Sequence, residues 1–292
     1  VVSFNINIGI NVSLVTGIPQ SAVIVLSAIV SFALTRVSMR TLSYVSAASI
    51  LTVAVAAASL VWSGLAMPRA PAASHTLLQA RGLPCALGLV LFSFAGHPCL
   101  PSVYWSMRQR SQFRMACFVG FLISMVFYGL VGALSYYFYG SELQKVFTGN
   151  LGYTLSGQPL HGLEALRLVT AAAFAIKLQG CMPLVIGPVT TVVENSLGLG
   201  PEDSCGKGTV KVVALAAAAV LALFFQEELD VVCSFGGSAL TMTTSVIFPC
   251  WLYWQLVPLR GFLMRAALLG TMVAGVVFAV YGTMDAVRSF ST

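Results

Sequence analysis

Read as apolar and polar positions, the chain is a succession of long apolar runs separated by short polar breaks. Runs of about 17–25 apolar residues are long enough to cross a hydrocarbon layer as helices. Nine segments qualify: roughly 1–17, 19–35, 42–67, 83–107, 115–139, 165–193, 209–226, 233–257 and 264–286. The runs are continuous rather than alternating, which argues against a membrane β-barrel. The expected fold class is an all-α integral membrane protein with about nine transmembrane helices. The first run is the weakest, because Asn5, Asn7 and Asn11 dilute it. The seventh is short and ends on Glu227, Glu228 and Asp230, whereas the eighth has no charged residue between Val231 and Leu259. The longest connections, Pro68–Gly82 and Gly140–His161, are too short for a separate domain, so residues 1–292 read as a single transmembrane domain.

The fourth run is the one that breaks its own pattern. Leu83–Met107 is long enough to span, yet Ser93-Phe94-Ala95-Gly96-His97 is followed by Pro98 and Pro101, which interrupt the helical ladder near 95–98. Backbone groups cannot stay unpaired in lipid, so a break at that depth requires a protein-lined or watery cavity, and broken helices are where transporters hold substrate. A second half-helix starting near Pro98 would aim free N–H groups and a positive dipole end at the break, a natural place for a carboxylate. Carbonyls released by the first half would accept from an ammonium, and Gly96 would let the backbone unwind. An amino acid carries both charges. Ser93, Phe94, Ala95, Gly96 and His97 are therefore the candidate substrate-binding residues, with Gly96, Pro98 and Pro101 as the helix-breaking set. The plain alternative is a proline kink without a ligand. His97 either relays a proton and gates the site, or stays neutral and bonded to a carbonyl.

Lys177 is the other anomaly. It falls about ten residues into the sixth run, near mid-bilayer at ~1.5 Å per residue. An unpartnered lysine there costs ~2.5–3.5 kcal/mol, so it should face the bundle interior. No acidic residue lies within one turn of it, so it is a candidate for the coupling ion or proton, alongside His97. Glu164 and Arg167, three apart at the start of the same run, read as a surface helix pair, and Glu194 at its end reads as interfacial. Tyr136-Tyr137-Phe138-Tyr139 and Trp251, Tyr253 and Trp254 read as interfacial aromatic belts. The sequon at Asn11 lies too near a span to carry a glycan.

Composition supports the membrane reading. The chain is 58% hydrophobic and only 8% charged, with a mean hydropathy of +0.91, too few charges to cover a surface against water. The net charge of +6 does not point to nucleic acid, because the basic residues punctuate apolar runs instead of clustering. They do set orientation. Nine Lys and Arg (36, 40, 108, 110, 114, 207, 211, 260, 265) fall on one side of the scheme and four (69, 81, 145, 288) on the other. The basic side is expected in the cytoplasm and the C-terminus outside or in a lumen. Seven cysteines show no CxxC or Cys/His spacing, so neither a metal site nor a disulfide framework nor any cofactor is expected. No nucleophile–base pair suggests an enzyme. The sequence shows no cleavable signal peptide, and its start at Val1, already inside an apolar stretch, leads to the expectation of further chain upstream.

The stretch LFSFAGHPCLPSVYWSMRQRSQF resembles the signature helix of the amino acid/auxin permease family, closest to its vacuolar amino acid transporter branch. The resemblance rests on Phe92, Phe94, Gly96, His97, Pro101, Ser106, Met107 and Phe113. Arg40 through Ser46 is similar to the start of the family's fifth helix. Lys177 through Glu194, with Pro183 or Pro188, is similar to its eighth, and Gly237-Ser238 through Pro249 and Tyr253 to its tenth. The resemblance implies eleven helices in a leucine-transporter-like fold of two inverted five-helix repeats plus one. The nine runs would then be the third to eleventh helices, and the first two would be absent. It also implies transport of neutral amino acids coupled to protons rather than sodium, in a vacuolar, lysosomal-type or plasma membrane, with no nucleic acid and no cofactor as partner. The helix matching Lys177 lines a sodium position in sodium-coupled relatives, which implies that its ammonium stands in for that cation. Two other readings of the same resemblance are an amino-acid sensor that does not transport, and an inactive fragment.

Overall fold

The computed structural model describes residues 1–37, 39–67, 75–76, 79–97, 100–200, 202–258 and 261–290, with backbone alone at 39–40, 42–43, 45–48, 81, 102 and 106. Among them lie α1 (Val2–Thr16), α2 (Gln20–Leu34), α3 (Met39–Ala66), α4 (Leu83–Ser93), α5 (Leu100–Ser106), α6 (Phe113–Tyr139), α7 (Glu164–Ser196), α8 (Ser204–Phe224), α9 (Leu229–Phe235), α10 (Phe248–Leu256) and α11 (Phe262–Phe290). Two stretches of wide π-helical turns, Gly236–Thr241 and Thr243–Ile247, join α9 to α10, making Leu229–Leu256 one helical rod. Strand pairing among the described residues is confined to one isolated bridge, Tyr153 to Pro159. Among the described residues six helical segments are long and apolar enough to cross a membrane: Ser49–Ala66, Arg110–Glu142, Glu164–Ser196, Ser204–Phe224, Leu229–Leu256 and Phe262–Phe290. The other three expected spans fall on shorter apolar helices, α1, α2 and the broken α4–α5. At 15 residues, α1 and α2 measure about 22 Å, less than the ~30 Å hydrocarbon layer.

Local chemistry sets several of these ends. α1 stops at Gly17, whose φ of 71° is cheap only for glycine; its N–H donates to the Ser13 carbonyl (2.9 Å), and Pro19 then precedes α2. The Asp203 carboxylate accepts from the Gly206 N–H (2.9 Å) and caps α8. Glu164 places negative charge in the first turn of α7.

The chain divides into two compact units, Val1–Thr76 with Leu130–Leu229, and Leu77–Gly129 with Asp230–Thr292. In the first, α1 packs on α2, α7 and α8, and α3 packs on α7. Ile8, Val23 and Met182 form its apolar centre. The asparagines that made the first run look weak have the opposite role: Asn5 and Asn11 are wholly buried. Thr148 Oγ1 in the 140–163 connection donates to Asn11 Oδ1 (2.8 Å), and Asn11 Nδ2 donates to the Asn7 carbonyl (2.9 Å). That connection folds back onto the helices, and Leu151 from it packs with Leu60 and Tyr139.

Two expectations are corrected here. Tyr137 is exposed as a belt residue would be, but Tyr139 is wholly buried. Its hydroxyl lies 2.9 Å from Ser63 Oγ, which in turn accepts from the Gly152 N–H (2.9 Å). The folded connection covers the ring, and the hydroxyl finds its partner inside. Arg167 forms no ion pair with Glu164 among the described residues. Its guanidinium lies 4.9 Å above the Tyr153 ring and donates to the Leu14 carbonyl at 3.4 Å, because a planar cation stacks on the aromatic face the connection brings to it.

In the second unit, α4 crosses the π-helical stretch, and both pack on α11. The crossing is close enough that a Cβ on Gly237 would collide with the Gly88 carbonyl, while Gly236 lies under the Phe92 ring. Hydroxyls repair the irregular ladder: Ser238 donates to the Ser234 carbonyl (2.8 Å), Thr241 to Gly236 (3.1 Å) and Thr244 to Leu240 (2.9 Å). Gly237→Ala is expected to destabilise this unit by about 1–3 kcal/mol, the usual cost of overpacking. Gly270→Ala, where a Cβ would meet open space, serves as control. Thermal unfolding in detergent checks it: a lower midpoint for the first variant and no loss for the second.

Candidate functional site

The candidate site starts from the broken helix, in the second unit. α4 ends at Ser93, whose hydroxyl donates back to the Leu89 carbonyl (2.9 Å). The chain then turns through Phe94, Ala95 and Gly96, with Phe94 N–H on Leu91 O (3.1 Å), Ala95 N–H on Phe92 O (3.1 Å) and Gly96 N–H on Phe94 O (2.8 Å). The turn thus takes up some of the last-turn carbonyls that the sequence left for an ammonium. Gly96 is not among the glycines with positive φ, and a Cβ there would meet open space. Its smallness therefore leaves room beside the chain; the turn does not depend on left-handed backbone. Ala95 and Gly96 are exposed and Phe94 and His97 half-buried. Pro98 lies outside the described residues. The helix beyond the break, α5, begins at Leu100 with Pro101 in its second position, so one donor of its first turn is missing.

His97 and Phe94 share an aromatic wall on α6. The imidazole stacks on Phe121 with centroids 5.0 Å apart and planes 27° apart, and Phe94 lies against Phe121 (6.3 Å) and Tyr128 (5.6 Å). His97 Nδ1 is buried without a hydrogen-bond partner among the described residues. A ring held flat on an aromatic face with one nitrogen unsatisfied suits a group whose partner arrives with substrate or proton. Phe121 also lines an open apolar cleft of about 310 Å³ with Leu100, Val103, Met107, Phe113 and Cys117.

Lys177 belongs to the first unit, half-buried on α7. The Cys181 thiol, one turn further along, is an electrostatic neighbour of its ammonium. Two residues on, Gln179 is the centre of a polar cluster that sequence reasoning missed. Its Nε2 donates to the Ser27 carbonyl (3.0 Å) and to Ser31 Oγ (2.8 Å), and its Oε1 lies 2.9 Å from Ser27 Oγ. Ser27 Oγ is also 2.9 Å from Asn5 Oδ1. The signal was available: polar side chains in mid-span, and serines four apart on one face of α2. Among the described residues no group of three His, Cys, Asp or Glu side chains could hold a metal.

The family model described as transmembrane amino acid transporter protein matches residues 2–288. The chain is similar to amino acid transporter AVT1J of Arabidopsis thaliana, 26% identical over 260 residues that cover 86% of this chain and 58% of the relative. To AVT1E of the same plant it is 25% identical over 254 residues, 84% of this chain and 46% of the relative. To AVT1I it is 25% identical over 219 residues, 74% and 51%. The chain thus spans about half the length of the curated relatives it matches. No solved structure matches it.

The cluster around Gln179 predicts an unequal pair of variants. Gln179→Leu removes three interhelical bonds, worth about 2 kcal/mol at ~0.6 kcal/mol each in a membrane. Asn5→Leu removes the single bond between Asn5 and Ser27 Oγ and leaves those of Gln179 in place, so its cost should be smaller, about 0.6 kcal/mol. Unfolding midpoints in detergent decide it.

Proposed function

The chain belongs to the transmembrane amino acid transporter family, and on that premise we propose that it serves secondary active transport of neutral amino acids driven by protons. It is a multi-pass membrane protein; in this reading the nine apolar segments each cross or enter the bilayer, basic loops face the cytoplasm, and the membrane is of the vacuolar type. The observation that carries the proposal is the interruption at Ser93–His97 in an otherwise apolar segment. There the exposed backbone around Ala95 and Gly96 offers polar groups to a zwitterion, with α5 beyond it contributing the positive end of its dipole. Phe94 and His97, set against the α6 aromatics, would line the side-chain end, which favours an uncharged side chain.

His97 and Lys177 supply the groups for coupling. A proton delivered to His97 would place a positive charge on a half-buried ring stacked on Phe121. The Lys177 ammonium would supply positive charge in the membrane, where a sodium-coupled protein needs an ion. A lysine so placed removes the need for sodium and leaves the proton as the driving ion. No cofactor enters the scheme.

The experiment is uptake of labelled neutral amino acids by the full-length protein in liposomes with an imposed pH gradient. His97→Ala and Lys177→Ala are each expected to lower pH-driven uptake about tenfold or more, the scale of losing one well-placed charged interaction. Unchanged uptake in both variants removes the site assignment.

A further inference from the structure

Gln179 and Lys177 are two residues apart on α7, so at 100° per residue their side chains leave the helix about 200° apart. A rotation that sends Gln179 to α2 sends Lys177 to the opposite face. The Gln179 amide is held on α2 by two donated bonds and one accepted, all between 2.8 and 3.0 Å. A planar carboxamide meeting the Ser27 carbonyl, Ser27 Oγ and Ser31 Oγ together can do so at one rotational setting of the helix.

The proton count extends this clasp to α1. Ser27 Oγ carries one proton but lies 2.9 Å from two oxygens, Gln179 Oε1 and Asn5 Oδ1, while the buried Asn5 Nδ2 has no partner among the described residues. Turning the Asn5 amide over settles the sharing of the Ser27 proton: Nδ2 then donates to Ser27 Oγ, whose proton goes to Gln179, while Oδ1 takes the position without a partner among the described residues. In that arrangement α1, α2 and α7 are fastened in series through Asn5, Ser27 and Gln179.

The clasp sits where α7 is least able to hold itself. Pro183 lies inside the helix and has no N–H for the carbonyl four residues earlier, which is that of Gln179. Pro188 opens the ladder again at Leu184. A helix opened in this way bends and turns at the break unless side chains hold it.

We infer that Gln179 is a positioning residue for Lys177: its clasp on Ser27 and Ser31 fixes the rotation of α7 at the proline-opened turn and keeps the ammonium on the face turned away from α2. The inference rests on Lys177 carrying the coupling charge, as proposed above. Few ionisable groups compete. Of the elements packed on α7, α1, α2 and the turn at 147–149 carry none. α3 carries Arg40 and Tyr44 in its first turns, and α8 carries Cys205, Lys207 and Lys211 in its first turns. On α7 itself Cys181 is the neighbour of Lys177.

The test is the pH profile of amino acid uptake by the full-length protein in liposomes. Gln179→Leu breaks the clasp from α7. The Ser27→Ala/Ser31→Ala double variant removes two of its three bonds from the α2 side, sparing the one to the Ser27 carbonyl, without altering α7, and carries the test where the first variant does not fold. Both are expected to move the pH midpoint of uptake by about half a unit or more, a roughly threefold change in proton affinity. A loss of uptake that is uniform at every pH makes the clasp a structural fastener and overturns the inference. Lys177→Met separates the two levels. If it flattens the profile or abolishes uptake, the coupling role stands and the clasp variants decide. If it retains the native profile, the coupling role itself fails and the positioning role falls with it.

Discussion

Hydrocarbon offers no hydrogen bonds, so every polar group this chain carries into the membrane must find its partner within the protein. That constraint explains why the described apolar segments are helical, and it also explains the departures from regular helix. Where the rod from Leu229 to Leu256 widens into π turns, Ser238, Thr241 and Thr244 bend their hydroxyls back onto carbonyls. Where asparagine and glutamine enter apolar helices, they fasten neighbouring helices to one another, as Asn5, Ser27 and Gln179 do. The buried Tyr139 hydroxyl follows the same rule through Ser63 and the Gly152 N–H.

Two places where the regular helical ladder is interrupted carry the functional reading. At Ser93–Gly96 the helical ladder ends inside an apolar segment, the chain is exposed, and His97 Nδ1 lacks a partner among the described residues. On α7 two prolines open the backbone beside a lysine. In the proposed function an amino acid zwitterion and a proton would supply what these places lack: a carboxylate for donors, an ammonium for carbonyls, and charge at the imidazole.

The apolar runs were legible in the sequence as helices, with ends within about five residues of those in the structure, because a helix rich in apolar residues declares itself by length and apolarity. The end of α4 at Ser93 was legible for the complementary reason: Gly96, Pro98 and Pro101 forbid a regular helix. What escaped was everything decided by a distant partner. Asn5 and Asn11 counted against the first run, yet both are buried by Ser27 and Thr148, which lie 22 and 137 residues away. Tyr139 read as an interfacial aromatic because nothing local says that a later connection folds over it. Arg167 had an acidic residue in helical register, but the Tyr153 ring and the Leu14 carbonyl took it instead. Gln179 escaped for the same reason: its partners, Ser27 and Ser31, lie 152 and 148 residues away.

The measurement that bears most directly on this account is proton movement accompanying amino acid transport by the full-length protein in sodium-free liposomes. Adding a neutral amino acid should drive protons across the membrane together with the labelled substrate, and adding sodium at fixed pH should change neither. Amino acid uptake that requires sodium at fixed pH, or that proceeds with no movement of protons, would contradict it.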